Sequence, residues 1–80
     1  MKRIALQKIV ADVLELDPEL LQSEANLTQF ETFNSIAILA LMIELDMQLG
    51  VKMQPEEASK LRVYGDIERV VENKGIILMD

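Results

Sequence analysis

The chain has 80 residues, 14 acidic and 8 basic, for a formal charge of −6, and half of it is apolar. That length accommodates one small acidic domain over residues 1–80 and excludes a multidomain enzyme. Cysteine and histidine are both absent, which removes disulfides, thiol nucleophiles, imidazole bases and the usual ligands of zinc, copper or haem, so no metal site is expected.

From Met1 to Leu16 the apolar residues Leu6, Ile9, Val10, Val13 and Leu14 fall at helical spacing, with Lys8, Asp12 and Glu15 on another face; this predicts an amphipathic helix. Asp17-Pro18-Glu19 combines a capping residue, a proline at the first helical position and an acid near the positive end of the dipole, enough for one short turn through Gln22. Ser23 to Phe33 is polar and aperiodic and is predicted as a loop, with Leu27, Phe30 and Phe33 tucked beneath it.

Asn34-Ser35 precedes the apolar run Ile36 to Ile43, after which Glu44, Asp46 and Gln48 alternate with Leu45, Met47 and Leu49 until Gly50. Its alanine, leucine and methionine content, its length and its flanking Asn-Ser and Gly predict a helix over a buried strand. Apolar nearly all round, this helix is either central and packed on several sides or has a flank left for a partner. Pro55-Glu56-Glu57-Ala58 starts a short helix not expected to outlast Lys60. The last helix is predicted from Tyr64 to Lys74, with Ile67, Val70 and Val71 inward, Glu68, Arg69 and Glu72 outward, and Gly75 supplying the left-handed C-terminal position. The apolar tail Ile76 to Met79 either packs back on the first helix or belongs to an interface.

The acidic balance argues against nucleic acid, whose phosphates require clustered cations. The longest uncharged stretch, Thr32 to Ile43, is far shorter than the roughly 20 apolar residues of a membrane span. No signal segment follows the basic N-terminus, and the chain is placed in the cytoplasm. Catalysis would have to use carboxylates, hydroxyls or amines. Glu56 and Glu57 are neighbours on a helix and point apart, and Glu44 and Gln48 are most simply a solvated face. The remaining candidate is Ser35, which by itself would be read as a helix cap.

Asn34-Ser35-Ile36 at the head of a leucine-rich helix, preceded by Ala25-Asn26-Leu27-Thr28-Gln29-Phe30, resembles the modification segment of acyl carrier proteins, in which Asp-Ser-Leu follows such a loop. Pro55-Glu56-Glu57-Ala58 is similar to the short third helix of that family, and Leu61-Arg62-Val63-Tyr64-Gly65-Asp66-Ile67 to its Thr-Val-Gly-Asp-Leu lead into the last helix. The resemblance covers residues 3 to 74 in order and spacing. It implies an all-α four-helix bundle of acyl-carrier type, with three main helices, a short third helix and a long first loop. It also implies that Ser35 receives 4′-phosphopantetheine from coenzyme A and carries acyl, aminoacyl or polyketide intermediates as thioesters, in a specialised lipid or secondary-metabolite pathway. The chain would then be no enzyme but a substrate, presumed monomeric, of a phosphopantetheinyl transferase and of acyl-loading and acyl-transferring enzymes with basic patches.

The resemblance also implies that loose packing between the long helix and the Pro55 helix lets an acyl chain insert; Leu45 and Leu61 match positions that line that pocket in the family, while their plain reading is core. Partner recognition would fall to Asn34, Ile36, Ala37, Ala40 and Asp46. Here the chain departs from the family: Asn34 replaces the Asp before the serine, Thr32 stands where Gly is usual, Ala37 and Ala40 replace frequent acids, and Val63 replaces a capping Thr. The rival reading is a carrier-like helical interaction module, unmodified at Ser35, whose apolar flank at residues 36–43 docks a partner helix or a second copy.

Overall fold

The apolar spacing of the N-terminal segment produces α1, Arg3–Leu14, which buries Leu6, Val10, Ala11 and Leu14. The computed structural model describes all 80 residues and contains four α-helices, with no strand beyond two isolated bridges. α1 is shorter at both ends than its periodicity predicts. At its start Met1 and Lys2 are extended and paired with the tail, the Arg3 N–H donating to the Met79 carbonyl at 2.8 Å. At its end Glu15 adopts a left-handed conformation, φ 57°, which turns the chain so that the Leu16 N–H reaches the Ala11 carbonyl at 2.9 Å.

The first connection is held by local caps. Asp17 accepts the Glu19 N–H at 3.0 Å and starts a 3₁₀ turn, Pro18–Leu20. A second such turn, Leu27–Gln29, interrupts the segment predicted as loop, because the Asn26 side chain accepts both the N–H and the hydroxyl of Thr28 at 3.0 and 2.6 Å. Leu27 is fully buried, and Phe30 and Phe33 are partly so, as expected for side chains tucked under the loop.

α2, Ser35–Leu49, runs from the Asn34 cap to Gly50, whose φ of 68° suits glycine. α3, Pro55–Ala58, is a single turn, with proline first and the Glu57 carboxylate accepting the Gln54 N–H at 2.9 Å. α4, Tyr64–Asn73, has no side-chain cap from Val63. Asp66 substitutes from inside the first turn, accepting the N–H groups of Arg62 and Val63 at 2.9 and 3.1 Å and pairing with Arg69. Burial pushes the Asp66 carboxyl up, but these donors outweigh it and hold the group below the ordinary carboxylate range. Gly75 follows with φ 103°.

Backbone bonds pin the long loop against the start of α4. The Leu27 N–H donates to Arg62 O, the Tyr64 N–H to Ala25 O and the Gly65 N–H to Ser23 O, at 2.8, 2.9 and 2.8 Å. Gly65 is required here, since a Cβ would stand 2.9 Å from the Ser23 carbonyl oxygen. One cluster of 16 residues forms the core, including Leu6, Leu14, Leu41, Leu45, Leu61, Tyr64 and Ile67.

One side chain lies opposite to its expected side. Glu68, predicted outward, is only 6% exposed, and its carboxylate accepts the Arg3 guanidinium at 2.8 Å. It shares the inner face of α4 with Tyr64, Ile67 and Val71, a position a carboxylate tolerates only with a cation opposite. The tail takes the first of its two readings: the Met79 N–H donates to Met1 O at 2.8 Å and Leu78 is buried, although Ile77 and Met79 remain exposed.

Candidate functional site

The long loop ends in a tight turn, with the Phe33 N–H donating to Phe30 O and the Asn34 N–H to Thr32 O at 3.0 and 3.1 Å. Extended backbone at Asn34 then sends its side chain over the start of α2, where its Oδ1 accepts the Ala37 N–H at 2.9 Å. Asn34 is therefore the cap, and the capping role that sequence alone would give Ser35 is already filled. Ser35 is exposed, and its hydroxyl makes no hydrogen bond within the chain. The N–H groups of Ser35 and Ile36 also have no partner, while the Ile38 N–H is satisfied by Asn34 O at 2.9 Å.

An anion joined to the Ser35 oxygen would find two free donors and the positive end of a 15-residue helix with no acid in its first turn. That arrangement fits a phosphodiester, and the serine needs no activation from its own chain if the reacting enzyme supplies the base. A groove of about 440 Å³ opens beside Ser35, lined by Ile38, Leu39 and Met42 of α2 and by Pro55, Ala58 and Ser59 at α3. On the other flank a hollow of about 250 Å³ lies against Val13, Glu15, Thr32 and Ala40. The Thr32 hydroxyl is buried there without a partner.

The outer face of α2 is apolar along its length: Ile36 is 80% exposed, Leu39 58%, Ile43 49% and Met47 75%. Their spacing puts all four on one side of the helix. Asp46 is exposed on the edge of this stripe, while Ala37 and Ala40 are half-buried toward α1. Glu44 accepts the Gln48 amide at 2.6 Å and stays on the opposite edge. Leu45 and Leu61 lie in the closed core; neither lines the groove beside Ser35, and Leu61 borders a separate hollow between α3 and α4. The sequence pointed to the space between the long helix and the Pro55 helix, but Ile38, Leu39, Met42 and the α3 residues were not singled out as its lining. Their signal was present in the length of the apolar run, which exceeds what one core-facing side needs. The chain gathers no group of three metal-ligating side chains, and no helix is long and apolar enough to cross a membrane.

A four-helix domain presenting one unencumbered serine hydroxyl at a helix N-terminus, beside an apolar groove, has the form of a carrier domain. The family model for the phosphopantetheine attachment site matches residues 5–71. An acyl carrier protein of Thermosynechococcus vestitus is 33% identical over 86% of this chain and 85% of its own length. One from Cylindrotheca sp. is 30% identical over 86% of each, and one from Wolinella succinogenes 24% identical over 84% of this chain and 88% of its own. The chain belongs to the acyl carrier protein family, whose phosphopantetheine-binding domain carries covalent 4′-phosphopantetheine and whose members are generally non-catalytic.

Proposed function

We propose that Ser35 is the attachment residue and that the chain carries thioester-bound intermediates for a specialised lipid or secondary-metabolite pathway. The observation that carries this reading is the pairing of a free Ser35 hydroxyl with the unpartnered N–H groups of Ser35 and Ile36, left open because Asn34 performs the capping. In the transfer from coenzyme A, the Ser35 oxygen forms the new bond to phosphorus as the bond to the nucleotide 3′,5′-diphosphate breaks. The serine proton passes to a base of the phosphopantetheinyl transferase. The two N–H groups and the helix dipole then favour the anionic product by roughly 0.3–1 kcal/mol. When bound, the group supplies the thiol that holds the cargo.

Partner enzymes would read Asn34, Ile36, Ala37, Ala40 and Asp46. The net charge of −6 draws the chain toward basic patches, while the apolar stripe of α2 supports a contact held by burial. Leu45 and Leu61 would contact cargo only after the groove between α2 and α3 opens toward the core.

The test is intact mass after incubation with coenzyme A, magnesium and a broad-specificity phosphopantetheinyl transferase, with Ser35→Ala as control. A gain of one phosphopantetheine that the variant lacks is the expected result. The second reading, an unmodified interaction module, draws on the exposed Ile36, Leu39, Ile43 and Met47. No gain with several transferases, together with concentration-dependent sedimentation, would establish it instead.

A further inference from the structure

We propose that Lys74 is a positioning residue, which through Glu57 latches α3 closed over the groove beside Ser35. Of all hydrogen bonds and ion pairs made by residues 52–60, only the Glu57 and Lys74 pair reaches beyond Arg62. The same oxygen, Glu57 Oε1, accepts the Gln54 N–H at 2.9 Å and the Lys74 ammonium at 3.1 Å. One carboxylate thus fastens the start of α3 and ties it to the end of α4. Toward α2 the segment makes no polar bond; it meets Ile38, Leu39 and Met42 only across the apolar groove.

A one-turn helix has little stability of its own, so its position depends on the buried Met53, Ala58 and Leu61 and on this single polar tie. Both partners are about one-third exposed, and a pair of that kind shifts an equilibrium by a small factor. A small factor suits a latch that must release. Lys60, the other cation acting on Glu57, sits at the end of the same segment and cannot replace Lys74 as an anchor to α4. Opening would move Pro55, Ala58 and Ser59 away from α2 and widen the path from Ser35 toward the core. Its use for cargo rests on the carrier reading; the latch itself does not.

The test uses the full unmodified chain and compares wild type, Lys74→Ala and Lys74→Arg. Amide hydrogen exchange is followed residue by residue, and binding of the uncharged apolar dye Nile red is measured in parallel. Exchange of the Ala58, Ser59 and Lys60 amides, which bond back to residues 54, 55 and 57 and close α3, is expected to rise roughly two- to fivefold in Lys74→Ala, with Lys74→Arg close to wild type. High salt should move wild type toward Lys74→Ala and leave that variant unmoved. Because a ligand of the open state gains apparent affinity in proportion to its population, dye affinity should rise by the same factor. Unchanged α3 exchange, a uniform rise across all helices, or faster exchange without tighter dye binding would each overturn the latch. Failure of the carrier reading would appear separately, as no mass gain at Ser35.

Discussion

The Arg3 guanidinium donates to the Glu68 carboxylate at 2.8 Å, joining the first turn of α1 to the middle of α4 across 65 residues of sequence. Arg3 also reaches Asp80 at 3.0 Å, so one cation gathers α1, α4 and the tail. The two contacts differ in weight, because Glu68 is almost wholly enclosed whereas Asp80 is open to solvent.

Arg3→Ala leaves an almost enclosed carboxylate without its cation and is expected to lower the urea midpoint clearly. Asp80→Ala, which removes an exposed partner, should cost less than about 0.5 kcal/mol. Glu68→Met, which replaces the charge with apolar volume, should cost less than Arg3→Ala. Equal losses for Arg3→Ala and Asp80→Ala would mean that the tail contact, and not Glu68, is the stabilising one.

Tyr64 sets the alkaline limit of stability. Its hydroxyl is buried without a hydrogen-bond partner, and burial first, then the nearby Glu68 charge, pushes its ionisation well above the ordinary tyrosine value. The folded state thus disfavours the phenolate. The resulting stability is present below the unfolded tyrosine pKa near 10 and is lost as pH rises from there through the folded value. At the acid end the carboxyls of Glu57 and Asp66 are lowered, so their contributions are present above about pH 4 and lost as pH falls through their folded values. Tyr64→Phe is expected to gain up to about 1 kcal/mol at pH 7 and to flatten the decline above pH 10. Asp66→Asn should flatten the decline below pH 4. Thermal melts from pH 2 to 11 check both slopes.

Glu15 ends α1 in a left-handed conformation that glycine adopts without penalty, as Gly50 does at the end of α2. Glu15 makes no side-chain hydrogen bond that would justify the strain. Glu15→Gly is expected to raise stability by about 0.5–1 kcal/mol. Glu15→Val, β-branched at positive φ, should lower it by more than that. Urea midpoints at constant slope decide the signs.

The helices and turns were legible because the chain punctuates them with residues whose backbone preferences leave few alternatives: Pro18 and Pro55 at the first positions of the short elements, Asn34 as the cap of α2, Gly50 and Gly75 beyond the ends of α2 and α4. Ser35, which punctuation alone would make a cap, stood out only through the resemblance of its surroundings to the acyl-carrier modification segment. Glu68 was misread because the rule that places charges outside is local, whereas its justification, Arg3, lies at the other end of the chain. The turn at Leu27 depends on one asparagine side chain folding back on Thr28, a signal that any Asn-x-Thr offers and few use. The groove lies where it was expected, between the long helix and the Pro55 helix, but its lining was misassigned to Leu45 and Leu61 for a different reason. Its α3 wall is four residues long and is located by a pair with Lys74, which no periodicity encodes.

Asn34 links local geometry to recognition, and the two can be separated. Aspartate caps a helix about as well as asparagine, and its charge adds a favourable interaction with the dipole of a few tenths of a kcal/mol. Asn34→Asp should therefore keep the bond to the Ala37 N–H and leave the Ser35 hydroxyl free, with a stability change within about 0.5 kcal/mol. What changes is the charge presented beside the serine, on a helix start with no acid of its own. With a broad-specificity transferase, KM is expected to fall severalfold while kcat holds, because a docking charge alters encounter and binding, not the reacting oxygen. Met47→Ser, at the far end of the exposed stripe, should raise KM with no effect on kcat if the enzyme lies along α2. Identical KM values for Asn34→Asp and wild type would show that the transferase does not read the position.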